Sequence, residues 1–161
     1  MSYDLSKPLV IGISSRALFN LEQENKIFEE QGVEAYESYQ VTHENEILQK
    51  GAAFQLIKAF LKLNNTGLGR LVEVIIMSRN NANTCLRIFN SIQYYGLDIT
   101  RATLTSGAEI APYLKAFKTD LFLSANSVDV QSAINDGIAA GLILTGAAHA
   151  DANQKIDQIR I

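Results

Sequence analysis

Histidine, cysteine and tryptophan are almost missing from this sequence, with two of the first, one of the second and none of the third. A single thiol, Cys85, allows no intrachain disulfide, so a reducing, cytoplasmic compartment is the expectation. Cys85 lies in an amphipathic stretch and reads as a small core residue. His43 and His149 are far apart and neither has a second ligand four residues on, which leaves no zinc pattern. No window stays apolar over the length that crosses a bilayer, and Met1 to Pro8 lacks the basic-then-apolar order of a secretory leader, so no membrane partner is expected. Gly-x-Gly-x-x-Gly, Walker and Gly-x-Ser-x-Gly motifs are also absent, which removes the commonest dinucleotide, ATP and serine-hydrolase sites. A net charge of -3 offers no broad basic surface for nucleic acid, while leaving room for a local basic pocket.

What is present is an ordinary globular composition, 47% hydrophobic and 19% charged. At 161 residues the chain fits one domain, long enough to bury roughly 70% of the surface its unfolded form exposes. Leu9 to Phe19 is an apolar run interrupted by Ser14, Ser15 and Arg16, as for a buried strand delivering polar side chains at its carboxyl end. Leu21–Gln31 and Val33–Gln40 read as helices separated by Gly32, followed by the polar run Thr42 to Glu46. Charge is densest here, so residues 20–50 read as a surface excursion or small helical cap.

Ala52–Leu63 repeats Phe54, Ile57, Phe60 and Leu61 at helical spacing, and Asn64 to Gly67 ends it. Val72–Met77 is β-branched and apolar, a strand covered on both faces, and it too ends in a polar burst, Ser78 to Asn81. The next helix is expected to turn Leu86, Phe89 and Ile92 inward before Gly96. A strand over Ile99–Thr105, a helix over Tyr113–Lys118 preceded by Pro112, and a strand over Asp120–Leu123 follow. A Ser127-capped helix to Asp136 and a fifth strand over Ala140–Leu144 complete the alternation. Such alternation predicts an α/β fold: a doubly wound, mostly parallel five-stranded, Rossmann-like sheet with right-handed crossovers. Residues 145–161 read as a tail, its last residues resembling the start of a further strand.

Ligands of open α/β sheets bind beyond the carboxyl ends of strands. Ser14, Ser15, Arg16, Ser78, Arg79, Asn80 and Lys115 therefore form a candidate phosphate-binding set, provided the topology gathers them. The competing reading keeps Ser78, Ser106 and Ser127 as helix caps, each contributing about 1 kcal/mol, with the cations solvated.

Several segments in order resemble the cytosolic type I 5'-nucleotidase family, whose fold belongs to the haloacid dehalogenase-like hydrolases. They are Ile13-Ser14-Ser15-Arg16-Ala17-Leu18-Phe19, Glu34-Ala35-Tyr36, Tyr39-Gln40, His43-Glu44-Asn45-Glu46, Phe89-Asn90-Ser91-Ile92, Tyr95-Gly96-Leu97, Tyr113-Leu114-Lys115-Ala116-Phe117, Asp120-Leu121-Phe122-Leu123-Ser124-Ala125 and Gly137-Ile138-Ala139-Ala140. The resemblance implies Mg²⁺-dependent hydrolysis of nucleoside 5'-monophosphates to nucleoside and phosphate. Family members are longer, and their second half opens with an Asp-x-Asp that this chain does not contain, so it resembles the first half.

Carried over, Ser14 and Arg16 fall at the two superfamily aspartates, Ser78 at the Ser/Thr position, Lys115 at the lysine, and Ser124 to Asp129 at the metal-binding acids. These four catalytic positions are degenerate. A phosphoserine at Ser14 would be a stable ester, Arg16 stays protonated, and an arginine repels Mg²⁺. Two expectations follow: part of a 5'-nucleotidase whose acids lie elsewhere, or a non-catalytic nucleotide, phosphate or assembly module. In both, Tyr36, Tyr39, His43 and Asn45 are the candidate nucleoside contacts, the metal ligands are unknown, and self-association through an uncovered face is an expectation.

Overall fold

Strands made of β-branched residues on both faces need cover on both sides, and the computed structural model, which describes residues 7–82 and 84–145, provides it. β1 (Leu9–Ile13) and β2 (Val72–Ser78) lie at the centre with β3 (Arg101–Leu104), β4 (Leu121–Ser124) and β5 (Ala139–Leu142) outside them. The order is β3-β2-β1-β4-β5 and every pairing is parallel, so the sheet is doubly wound as expected. β1 and β2 run in register from Leu9 opposite Val72 to Ile13 opposite Ile76.

Alternate residues face opposite layers. On one face Ile11, Ile13, Val74 and Ile76 pack with Phe54 and Ile57 of α4 (Phe54–Lys62) and with Ile88 and Ile92 of α5 (Leu86–Tyr94). On the other, Ile75, Met77 and Phe122 meet Leu114 of α6 (Ala111–Ala116) and Ala133 of α7 (Ser127–Asn135). Gly12 lets this second layer come close: a β-carbon there would lie 3.2 Å from Met77 and Phe122 side-chain atoms.

Between β1 and α4 the chain makes α1 (Ser15–Leu18), α2 (Glu22–Gln31) and α3 (Val33–Thr42). The excursion closes on itself, because Phe19 bridges Lys50 in antiparallel fashion and Asn20 N–H donates to Gln49 O at 2.9 Å. Gly51 is required at this closure, since a β-carbon would fall 2.7 Å from the Ala17 carbonyl oxygen. The segment is not wholly superficial: Glu24, Gln40 and Leu48 are buried.

Glu24 explains why the α5 face differs from expectation. Leu86 and Phe89 point outward, 48% and 39% exposed, and the inward stripe is Cys85, Ile88, Ile92 and Tyr95 with Arg87 and Ser91 beside it. Arg87 donates to Glu24 at 2.5 Å and to the Glu46 carbonyl at 2.8 Å, and Ser91 Oγ accepts from Leu48 N–H at 2.9 Å. Periodicity read from apolar residues misses a face built partly from a buried ion pair. Burial pushes the Cys85 thiol up to about 11, as suits a core residue rather than a reactive one.

Smaller departures have local causes. α7 is capped by Asn126, not Ser127, because the Asn126 side chain reaches the N–H groups of Val128 (2.9 Å) and Asp129 (3.2 Å). Ser78 ends a strand, and α6 starts at Ala111 behind Ile110, so neither Ser78 nor Ser106 caps a helix. β3 is shorter than Ile99–Thr105, β5 begins one residue earlier than expected, and α6 ends two residues before Lys118. The expected tail, apart from Thr145, lies outside the described residues.

Candidate functional site

The winding direction reverses between β1 and β4, and the loops leaving those strands part at that point. Ser14 occupies the β1 tip, its N–H donating to the Leu123 carbonyl across the gap at 2.9 Å. Its hydroxyl accepts from Ala17 N–H (3.3 Å) and from Ala125 N–H (3.2 Å). A hydroxyl carries two lone pairs and one proton, and here both lone pairs meet backbone donors. What remains is the proton, so Ser14 is disposed to donate to an anionic oxygen and ill disposed to attack phosphorus.

Neighbouring hydroxyls extend this lining. Ser15 is buried at the start of α1 with its Oγ 3.4 Å from Ser78 Oγ, and Ser78 Oγ accepts from Asn80 N–H at 3.2 Å. Ser124 Oγ accepts from Asn126 N–H at 3.1 Å. The β3 tip is tied to the β2 tip through Gly107 N–H on the Arg79 carbonyl (2.7 Å) and Ser106 N–H on the Asn80 carbonyl (3.3 Å). Ser106 takes a left-handed φ of 50° to make that turn.

The cations proposed for phosphate are engaged with carboxylates. Arg16 forms a two-pronged pair with Glu22 at 3.0 and 3.1 Å, and its hydrogen bonds, helped by its charge, hold the Glu22 carboxyl below the usual carboxylate range. Arg79 grips the buried Asp129 through both Nε and Nη2, and also donates to the Gly107 carbonyl at 3.4 Å. Asp129 in turn keeps Arg79 above its ordinary value. Lys115 lies apart from this group. It pairs with Asp136 at 3.3 Å, and Asp136 ends α7, which runs from the carboxyl edge back to the amino edge of the sheet.

Of the four nucleoside candidates, Tyr36 is the one brought to the strand tips. Its hydroxyl donates to Asn80 Oδ1 at 3.0 Å and accepts from Gln40 Nε2 at 3.1 Å; burial raises its phenol above the ordinary value. Beside it Asn81 Nδ2 donates to Glu37 at 2.5 Å, a contact the sequence did not signal because Glu37 looks like one more charge on a polar helix. Tyr39 and His43 stack on each other with centroids 3.9 Å apart, and Asn45 is exposed in the loop beyond α3.

The groups around the crevice are hydroxyls and amides, and its carboxylates Asp129, Glu22 and Glu37 are already engaged by Arg79, Arg16 and Asn81, a set that does not fit Mg²⁺ with its demand for carboxylate oxygens. Among the described residues no three His, Cys, Asp or Glu side chains gather for a metal. Among them, too, no helix is long and apolar enough to cross a membrane.

Fold and crevice together define a Rossmann-like α/β domain with a hydroxyl-lined switch point. A profile of the 5'-nucleotidase family matches residues 1–161. Human cytosolic 5'-nucleotidase 1B is 41% identical over 146 residues, covering 86% of this chain and 24% of that protein. The chain belongs to the 5'-nucleotidase family and spans about a quarter of the length of that relative.

Proposed function

We propose that this chain is the phosphate-holding part of an enzyme that hydrolyses nucleoside 5'-monophosphates to nucleoside and inorganic phosphate. The acids for the cleavage are not supplied by this crevice. The observation that carries the reading is the state of Ser14 at the switch point, with both lone pairs taken and its proton left to donate. Ser15 and Ser78 add hydroxyls beside it, and Tyr36 links the excursion to Asn80 at the same edge. Of the nucleoside candidates Tyr36 alone adjoins this edge and is the contact proposed for the nucleoside.

The test is phosphate release from AMP and IMP by the purified chain with and without Mg²⁺, paired with calorimetry. Turnover should stay at trace level. Nucleotide binding should weaken about fivefold in Ser14→Ala, the worth of one hydrogen bond. Robust Mg²⁺-dependent release that disappears in Ser14→Ala would overturn this division of labour.

A further inference from the structure

At the opposite edge of the sheet the described residues enclose a half-open cleft of about 680 Å³, within the size range of small-molecule sites. Lys7, Val10, Arg101, Phe117, Lys118 and Asp120 line it. Asp120 accepts from Val10 N–H at 2.8 Å, tying β1 to β4. Arg101 pairs with Glu73 through Nε and holds its guanidinium 5.3 Å from the Phe117 ring centre. Among the described residues neither Lys7 nor Lys118 has a carboxylate within ion-pair distance. In a protein of net charge -3, three cations here face the carboxylates of Asp120 and Glu73, and the two ammonium groups, unpaired among the described residues, leave the half-open cleft with a positive excess.

Lys118 is held at a backbone cost. Three helices end in the same turn, in which a left-handed residue donates back to the third residue before it and its successor donates to the fifth before it. After α5 that residue is Gly96 (φ 61°), with Leu97 N–H on the Ile92 carbonyl, and after α7 it is Gly137 (φ 79°), with Ile138 N–H on the Ala133 carbonyl. After α6 it is Lys118 (φ 52°), with Thr119 N–H on the Leu114 carbonyl at 2.9 Å. Glycine serves at the two helix ends that do not line the cleft; at the one that does, a strained lysine replaces it.

We propose that this amino-edge cleft is a second anion site, separate from the strand-tip crevice, that takes a phosphorylated small molecule of two or more negative charges through Lys7 and Lys118, beside the Glu73-paired Arg101. Phosphate and diphosphate esters concentrate such charge in a group small enough for the space.

Titration of the full chain with inorganic diphosphate at low and high salt tests this, with malonate as a non-phosphate dianion. Diphosphate should bind in a salt-sensitive way and malonate markedly more weakly. Lys118→Gly should weaken diphosphate at least tenfold while raising the melting temperature, and Lys7→Gln should weaken it with the melting temperature unchanged. Ser14→Ala should leave this binding intact. Binding that survives both lysine substitutions, or that Ser14→Ala removes, would overturn the assignment, as would equal affinity for malonate.

Discussion

The two edges of one sheet differ in how much of their positive charge is engaged. At the carboxyl edge Arg16 and Arg79 are each gripped by a carboxylate, Glu22 and Asp129, and the rest of the polar lining is hydroxyls and amides with Glu37 held by Asn81. At the amino edge Arg101 and Lys115 are likewise paired, with Glu73 and Asp136, but Lys7 and Lys118 face a cleft with no carboxylate within ion-pair distance among the described residues. Cations that hold loops together are structural even where fold topology places a ligand, and those kept out of ion pairs, one of them at the expense of backbone strain, are the better candidates for recognition.

The largest effect expected from breaking the carboxyl-edge arrangement lies at its anchor. Arg87→Leu strands Glu24 in the interior and should cost about 3–5 kcal/mol in denaturant unfolding, because an unpaired buried charge is far worse than none. Glu24→Gln in the same background should recover part of it. Arg79→Leu should cost about 2 kcal/mol, less because its side chain is 39% exposed while Asp129 is buried. Lys118→Gly should do the reverse and stabilise: left-handed strain of roughly 1–2 kcal/mol is relieved against roughly 0.5–1 kcal/mol of added unfolded-chain entropy. A destabilised Lys118→Gly in calorimetry would erase the distinction between the edges.

Smallest is the Arg16 pair, exposed on both sides, for which Arg16→Ala should cost below about 1 kcal/mol. Its pH dependence has a defined sign. Glu22 titrates lower in the folded chain than unfolded, so the contribution is complete above the ordinary carboxylate pKa and fades as pH falls through the lowered value. Acid unfolding curves of wild type and Arg16→Ala should therefore converge at low pH.

Much of the fold was legible because its signals are local. β1 and β2 announce themselves as β-branched runs ended by serines, and α4 shows its apolar face at helical spacing. α5 was misread because its inner face includes Arg87, whose partner Glu24 is 63 residues away, and no window spans that distance. In the candidate site, Ser14, Ser15, Ser78 and Asn80 were legible as strand-tip residues, whereas the engagement of Arg79 by Asp129 and of Asn81 by Glu37 depends on neighbours across the sheet. Lys115 looked like a tip residue by its position after β3, but its partner Asp136 lies at the far end of α7.

The sequence by itself determined the alternation of strands and helices and the polar ends of the strands, since each is written in residue type and spacing. Only the tertiary structure decided what those polar ends can do. Whether a hydroxyl offers a lone pair or a proton, and whether a cation is spent or available, depends on which atoms meet it. For Ser14 those atoms belong to Ala17 and Ala125, the latter 111 residues along the chain. For Lys118 the cleft it lines is completed by Val10 of the first strand and Arg101 of the third, which only the folded sheet brings to one place.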